Sequence, residues 1–280
     1  MRGLVVAAML VTGCTSIGGG GGDDDGVTDD AAPDVTVVDG APGPDDDADP
    51  DALGSVNNPA QSCVELRDAG AGSGAYWVLH PDMEGAALKL YCEQERGGGG
   101  WVLLYSSVLT EGETTAFFQI AYADRFEVKG EPDPAANYYN GALYAFGTEY
   151  MDVIRDLADT TVVAARVDVE GFDEGTMAFV TPTLVAGNSS IFNSQFGAGW
   201  ASADHDGDTN ADNCSSIYCG IAQHYSSCWS YNLGCDAPAT EDAGLGPHVN
   251  DTVMTAMGLA LQPASNGYSR VKRIARFTRW

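Results

Sequence analysis

The alternation of apolar and polar positions predicts two β-strands near the start of the folded part of the chain. Residues 87–91 alternate as a half-buried strand does, and residues 101–105 form a second strand-like run. The four glycines at 97–100 lie between them and allow the positive φ angles of a tight loop. Cys63 and Cys92 are 29 positions apart. This spacing predicts a disulfide, which on the chain-entropy model stabilises such a segment by about 3.5 kcal/mol.

A different period predicts a helix further along. Met151, Ile154 and Leu157 fall on one face of a helix that begins at Thr148, a suitable capping residue. The sequence therefore predicts a short amphipathic helix over residues 148–157.

The following residues predict a hairpin. A buried strand is expected at 160–169, a turn at 170–175 and the partner strand at 176–181. Residues 111–147 are rich in Tyr and Asn and are expected to be loop-like.

The N-terminus has the pattern of a lipoprotein signal peptide. Arg2 precedes an apolar run over residues 4–11, and small residues lead into Cys14. The run is far shorter than the roughly 20 apolar residues of a membrane span, which argues against a transmembrane helix. We predict that residues 1–14 direct export and that Cys14 carries the lipid anchor. Thr15, rather than Asp, resembles lipoproteins sorted to an outer membrane, so an outer-membrane or cell-surface location is expected.

Residues 15–59 are expected to be a disordered acidic tether. Twelve aspartates lie between Asp23 and Asp51, with many Gly, Pro and Ala residues and no basic residue. Such a segment cannot bury enough apolar surface to fold, and its like charges repel. A calcium-binding acidic repeat is the alternative, but the aspartates have no regular period.

Residues 60–280 are long enough for one large domain. They contain 12 Lys and Arg residues against 28 Asp and Glu residues. Because phosphate binding needs a basic surface, this acidic balance argues against nucleic acid as a partner and favours divalent cations.

Basic residues concentrate in the last strand-like segment, 268–280. They are Arg270, Lys272, Arg273, Arg276 and Arg279. We expect a strand that pairs its outer face with acidic neighbours, and a functional basic patch is the alternative.

The cysteine count fits an exported protein once Cys14 is assigned to lipid. Six of the seven cysteines then remain, and Cys63 pairs with Cys92 by spacing. The other four, which permit three connectivities, are Cys214, Cys219, Cys228 and Cys235. A zinc site is the competing interpretation, but the spacings lack C-x2-C pairs and the compartment is oxidising.

These features resemble a known family. The stretch 63–70, Tyr76, the motif Tyr91-Cys92-Glu93 and the glycine run into Trp101 resemble the opening of a fibrinogen C-terminal-like domain of the bacterial type. Glu93 stands where Asp is usual. The resemblance covers most of residues 60–280 and is weakest over 111–147. It implies an α+β fold, in which a twisted antiparallel sheet and short helices carry a long calcium-braced C-terminal loop region.

The resemblance also implies disulfides and a metal site. The family has a bridge after its calcium loop, which implies Cys214 with Cys228 and leaves Cys219 with Cys235 as an addition. Oxygen-bearing side chains occupy every second position from 204 to 212, and Ca²⁺ takes six to eight oxygen ligands. The family's D-x-D loop implies side-chain ligands at Asp206 and Asp208, with further oxygens at the positions Asp204, Asn210 and Asp212.

Asp204 is either an additional ligand or a sign of a shifted register. A solvated Asp/Asn turn is the alternative to the whole site. The run also resembles the start of an EF-hand, but the terminal Glu is missing, and the long loop suits Mg²⁺ less well.

In sugar-binding members of the family, the segment around this bridge forms a pocket for acetyl groups. The corresponding candidates here are His224, Tyr225, Trp229, Tyr231 and Asn232. Trp229 replaces the family's histidine. Aromatic faces and polar tips suit sugars, but the rings would equally pack against the disulfides.

No G-x-S-x-G or H-E-x-x-H motif is present, and the four histidines lie far apart in the sequence. We therefore expect a surface-anchored, calcium-dependent recognition module that binds glycans or glycoproteins and is not an enzyme. A structural or adhesive protein that uses calcium only for stability is the main alternative, and a metal-dependent hydrolase is a remote one.

Overall fold

The computed structural model describes residues 51–83, 85–235, 244–262 and 267–280. The predicted signal peptide, the lipidation site Cys14 and the tether up to residue 50 lie outside the described residues. None of the helices in the described ranges has the length and apolarity that crossing a membrane requires.

Short strands outnumber helices in the described part of the chain. In chain order they are β1 Gly74–Val78, β2 Leu88–Glu93, β3 Trp101–Val108, β4 Val128–Lys129, β5 Tyr138–Asn140, β6 Glu149–Arg155, β7 Thr161–Asp168, β8 Gly171–Asp173, β9 Ala178–Val180, β10 Thr183–Gly187, β11 Trp200–Ala201, β12 Gln223–His224, β13 Tyr231–Asn232, β14 His248–Asn250, β15 Tyr268–Arg270 and β16 Arg273–Arg279. The helices are α1 Cys63–Asp68, α2 Glu111–Phe117, α3 Ser189–Gln195, α4 Cys214–Ile217 and α5 Asp251–Ala256, and two 3-10 helices lie at Tyr122–Asp124 and Gly141–Ala145. Short helices on antiparallel sheets confirm the predicted α+β class.

Nine strands form the central antiparallel sheet. Its main order is β1-β2-β3-β16-β6-β7-β10, with β5 joined to β3 and β4 joined to β5. The C-terminal strand β16 therefore lies in the middle of the sheet, between β3 and β6. This placement ties the two ends of the domain together.

The sheet is buried on both faces. Successive residues of β3 alternate between two hydrophobic clusters, since Val102 and Leu104 belong to one and Trp101 and Leu103 to the other. We call the first the inner face, because the C-terminal loops pack on it. The second, the outer face, carries a smaller cluster with Met151 and Phe277.

The first predicted strands are confirmed as β2 and β3. All four glycines at 97–100 have φ between 57° and 88°, as the loop between the strands requires. The disulfide between Cys63 and Cys92 joins α1 to β2, as the spacing predicts.

The helix expected over 148–157 is wrong, because these residues form strand β6. Its five central residues are all buried, with Tyr150 and Ile154 on the inner face and Met151 and Val153 on the outer face. A strand that is covered on both sides can be apolar at successive positions, so it shows no two-residue alternation. The spacing of Met151, Ile154 and Leu157 therefore matched a helical period by coincidence.

The predicted hairpin is wrong, because the strand expected at 160–169 does not pair with the one expected at 176–181. Strand β7 pairs with β6 and β10, while β8 and β9 form a separate small hairpin. Met177 and Thr181 have positive φ and flank β9 on its two sides, so the predicted strand at 176–181 is confined to three residues. The segment 111–147 contains a helix, two 3-10 helices and two short strands rather than loop alone.

The basic C-terminal segment pairs with acidic neighbours, as expected. Arg279 pairs with Glu149, and Lys272 lies 2.6 Å from Asp159. Arg276 departs from the expected outer position, because it is buried on the inner face with Asp152.

Candidate functional site

The C-terminal lobe, which is the described part of residues 200–270 (200–235, 244–262 and 267–270), packs on the inner face and contains the predicted site residues. Its strands are only two or three residues long, from β11 to β15. Two disulfides fasten it, Cys214–Cys228 and Cys219–Cys235, with Cα atoms 5.3 and 6.1 Å apart. This pairing is the one that the family resemblance implies. It uses the four thiols that a zinc site would need.

The acidic loop, residues 204–212, turns through a series of side-chain to backbone hydrogen bonds. The Asp208 carboxylate accepts from the Asn210 and Cys214 amides, both at 2.8 Å, and the Asp206 carboxylate accepts from the Asp208 amide at 3.4 Å. Burial raises the pKa of Asp208, and the nearby charge of Asp206 raises it further. These two carboxylates are therefore close enough for their charges to repel each other.

Asp204 has a different role from its neighbours. It accepts hydrogen bonds from the Ser202 hydroxyl at 2.6 Å and the Tyr122 amide at 3.0 Å, and these bonds lower its pKa. The Tyr122 ring in turn stacks on His205 with centroids 3.6 Å apart. Asp204 thus fastens the acidic loop to the 3-10 helix at Tyr122–Asp124.

Gly207 allows the acidic loop to approach the backbone of β11 closely. Its carbonyl accepts from the Gly199 amide at 3.1 Å, and a Cβ at this position would lie 2.2 Å from the Trp200 carbonyl oxygen. Only glycine permits this approach. This close backbone contact helps to hold the loop against β11.

The donors in this loop fit calcium better than a metal that needs several side chains. Within the described ranges, no three His, Cys, Asp or Glu side chains gather as a metal-binding group. The carbonyls of Asn210 and Asp212, in an exposed stretch, accept no hydrogen bond from the described residues. Two carboxylates, these carbonyls and water are the oxygen ligands that Ca²⁺ accepts.

The five predicted ligand contacts are all buried. Exposure is 9% for Trp229 and at most 1% for the other four, which are His224, Tyr225, Tyr231 and Asn232. Their polar atoms mostly bind the protein itself. Asn232 accepts from the Gly234 and Cys235 amides, both at 2.9 Å, and the Tyr225 hydroxyl donates to the Ile221 carbonyl at 2.8 Å.

His224 lies within an aromatic cluster. Its Nε2 is 2.8 Å from the Met177 carbonyl and therefore donates to it, which leaves Nδ1 as the unprotonated nitrogen. Nδ1 is buried and has no partner among the described residues. Burial lowers the pKa of His224 well below its usual range, and the Arg276 charge lowers it further.

Tyr231 belongs to a buried polar network that the sequence did not indicate. Arg276 makes two hydrogen bonds to Asp152, at 2.7 and 2.8 Å, and one to the Tyr231 hydroxyl at 2.9 Å. Tyr231 donates to Asp152 at 2.8 Å and lies 2.5 Å from the Tyr105 hydroxyl. The network connects three strands of the sheet to the lobe. An aspartate within the apolar run 150–154 was the one available signal.

Trp229 lies nearest the surface of the five. Its ring packs against Tyr268 at 4.4 Å and edge-on against Tyr218 at 5.4 Å, and its indole N–H has no partner among the described residues. Tyr218 and Tyr268 are partly exposed. We call Tyr218, Trp229 and Tyr268 the aromatic rim. It adjoins the Cys214–Cys228 bridge that follows the acidic loop.

No family model matches the chain. Among solved structures, it is similar to the fibrinogen-like globe domain of human ANGPTL6, with 20% identity and a TM-score of 0.53 over 79% of this chain and 96% of that one. The fibrinogen-like globe domain of human ANGPTL2 is similar at 17% identity and a TM-score of 0.53, over 79% of this chain and 99% of that one. The chain therefore has the fold of a fibrinogen C-terminal-like domain.

Proposed function

We propose that this protein is a recognition module that binds a glycan or glycoprotein in a calcium-dependent manner, without chemical turnover. The observation that carries the proposal is the position of two close aspartates, Asp206 and Asp208, in a loop joined by a disulfide to the aromatic rim. A fibrinogen-like fold supports a binding role in general.

Calcium would act by compensating the acidic loop. Asp208 is partly buried beside a second carboxylate, and an oxygen-coordinated cation would remove that repulsion. Asn210 would couple the ion to the aromatic rim, because its side-chain amide lies 3.1 Å from the sulfur of Cys228, the residue that precedes Trp229. An ion held at Asp206 and Asp208 would therefore fix the rim that meets the ligand.

The aromatic rim is the surface that suits a sugar. Partly exposed rings of Tyr218 and Tyr268 offer faces for the C–H surface of a sugar ring, and their hydroxyls offer hydrogen bonds. The unpartnered indole N–H of Trp229 is a further donor at the same place. The proposed contacts with the sugar are therefore made by Tyr218 and Tyr268, which are partly exposed, together with Trp229. The other four residues that the sequence predicted as ligand contacts are buried.

The proposed setting is the outer membrane or cell surface. Cys14 would carry the lipid, and the acidic residues of segment 15–59 would extend the tether and hold the domain away from the membrane. The acidic surface supports a partner other than nucleic acid.

A structural or adhesive role is the second candidate, and one observation favours it. The acidic loop is already shaped by protein contacts, including the Gly199–Gly207 bond and the Thr209 amide bond to the Ser226 carbonyl at 3.0 Å. On this alternative, calcium adds stability and the partner is another protein.

The deciding experiment is an array of acetylated and plain sugars, probed with calcium and then with a chelator. We expect a specific sugar signal that the chelator abolishes and that D206N/D208N lacks. D133N is the matched control, because Asp133 makes the same kind of turn, accepting from the Ala135 amide at 2.7 Å, outside the lobe. Silence on every sugar, together with calcium-dependent binding to cell-surface protein, would establish the adhesive alternative.

A further inference from the structure

The central sheet has three terminal strands, and the described residues cover their outer edges unequally. The main strand order ends at β1 and at β10, and a side branch ends at β4. An uncovered edge strand presents backbone N–H and C=O groups that can extend the sheet into another chain. The cover on each edge therefore decides where another chain could pair.

Two of these edges are protected. At β1, the Ala60 amide donates to the Trp77 carbonyl at 3.0 Å, and the Trp77 amide donates to the Gly54 carbonyl at 2.8 Å. The segment 54–60 therefore occupies this edge. Strand β4 is only two residues long, and its sequence places charges at Glu127 and Lys129. A short strand with charged side chains resists pairing.

Strand β10 has neither protection. It is five residues long, and all of its residues except Leu184 are exposed. Apart from the ladder to β7, no backbone hydrogen bond from the described residues reaches it. Val185 lies in a bulge between Leu184 and Ala186, is 48% exposed and has no register partner on β7. The outer edge of β10 is therefore open to another strand.

The open edge also lies in the longest uncharged stretch of the chain. Residues 175–203 contain no Asp, Glu, Lys, Arg or His, although the chain has a net charge of -27. The adjacent strand β7 places Arg166 and Asp168 opposite β10, and these two charges have opposite signs. Copies of so acidic a chain repel each other. At β10 a second copy can approach without opposing like charges on the strand itself.

We propose that β10 is the interface through which two copies of this chain pair. The two strands run antiparallel about a two-fold axis at Val185, the central residue of β10, so that Val185 faces Val185 of the partner subunit. Such a contact is self-complementary and closes at two copies, because each copy offers one such edge. The central sheet then continues from one copy into the other.

The same strand limits the strength of this contact. Pro182, directly before β10, has no N–H to donate, and the bulge disturbs the regular ladder. Pairing is therefore confined to β10. Because so short an edge buries little surface, we expect a weak dimer with a Kd in the micromolar range.

The test is sedimentation velocity of the full chain at about 1 to 300 µM, with a chelator present. The chelator prevents calcium from bridging two acidic loops, so the result does not depend on the proposed calcium site. We expect a concentration-dependent shift from monomer to dimer. Raising the ionic strength should strengthen the dimer, because salt screens the repulsion between two acidic copies.

V185K should raise the Kd of the dimer about tenfold or more, because it places two like charges opposite each other and removes the contact between two valines. V128K is the matched control, since Val128 is 53% exposed on the edge strand β4, and it should leave the Kd unchanged. Far-ultraviolet circular dichroism checks that each variant folds.

A charge exchange tests the register. V185E alone should weaken the dimer as V185K does, whereas an equimolar mixture of the two variants should recover it, because Lys then faces Glu across the axis. In the original chain, hydrogen exchange at the β10 amides should slow as the protein concentration rises, and exchange at the β4 amides should not.

A chain that stays monomeric at every concentration would overturn the proposal. So would a dimer that V185K and V128K affect equally, because another surface or the lipid anchor would then join the copies. A dimer that salt weakens would overturn it as well, since ion pairs would then form the interface. If the mixture of V185K and V185E stays monomeric, the two-fold axis does not lie at Val185.

Discussion

Two aspartates, the fully buried Asp152 in the central sheet and the partly buried Asp208 in the C-terminal lobe, have their carboxylate charges stabilised in opposite ways. Asp152 is fully buried and has a resident cation, Arg276, together with the Tyr231 hydroxyl. Asp208 is bound by two backbone amides and faces another carboxylate. The sheet supplies the cation for its own buried carboxylate, whereas under the proposed function the acidic loop takes its cation from solution.

The same contrast holds for packing. The sheet is held by nine strands and two hydrophobic clusters. The lobe depends on two disulfides and on strands of two or three residues. Regular hydrogen bonding therefore stabilises the sheet, while covalent links and an added ion would stabilise the lobe, where a binding surface needs irregular loops.

The largest expected effect is on the resident pair. In R276M, Asp152 is left buried without a cation, so the free energy of unfolding should fall by about 3–5 kcal/mol, as measured by urea denaturation. R279M is the control, because its pair with Glu149 is partly exposed and should contribute about 1 kcal/mol or less. A small loss in R276M, equal to that of R279M, would contradict a strong coupling between Arg276 and Asp152.

The second-largest effect is expected on removing a disulfide, which should destabilise the C-terminal lobe and leave the central sheet intact. In C214S/C228S, which opens a loop of 14 residues, the free energy of unfolding should fall by about 3 kcal/mol on the chain-entropy model. Hydrogen exchange should accelerate at the Thr209 and Cys214 amides, which bond within the lobe. Amides of β6 and β16 should keep their protection, and a uniform acceleration would show that the lobe is not a separate unit.

Calcium should stabilise the lobe by a slightly smaller amount. At a concentration of about 100 times its Kd, the ion should raise the free energy of unfolding by about 2.7 kcal/mol. D208N should lose this gain and D133N should keep it. Without calcium, D208N should be at least as stable as the original chain, because burial and Asp206 disfavour the Asp208 charge. If a chelator leaves the free energy of unfolding of the original chain unchanged, calcium does not stabilise the lobe.

The smallest effect concerns acid. Because the folded-state pKa of His224 is depressed, its neutral form is favoured by the fold, and its contribution is complete above the unfolded pKa near 6.5. As pH falls below 6.5 the unfolded chain gains a proton that the folded chain does not, so stability should fall by about 1.4 kcal/mol per pH unit from this group.

H224Q should flatten that part of the stability curve, since Gln can donate to the Met177 carbonyl without titrating in this range. H205Q is the control, because His205 stacks on Tyr122 at the surface. Urea denaturation between pH 7.5 and 5 measures both. If H224Q and the original chain have the same slope, the acid response belongs to other groups.

The sequence by itself determined the features that depend on local chemistry. The Cys63–Cys92 spacing, the glycine run before Trp101 and the resemblance they carry led to the α+β class and, through the family, to all three disulfides. These features are readable because a disulfide needs particular residues, and a positive φ favours glycine at a fixed place in the chain.

Tertiary structure alone decided what depends on partners distant in the chain. Residues 149–155 became a strand because β16 and β7 pair with both of its edges, which overrode a helical apolar period. Asp152 and Arg276 are 124 positions apart, so no local pattern indicated their pairing. The burial of Tyr231 follows from that pair, because its hydroxyl bonds to both charges. Side-chain type showed what Tyr231 can do, but only the folded sheet decided that its hydroxyl is used inside the protein.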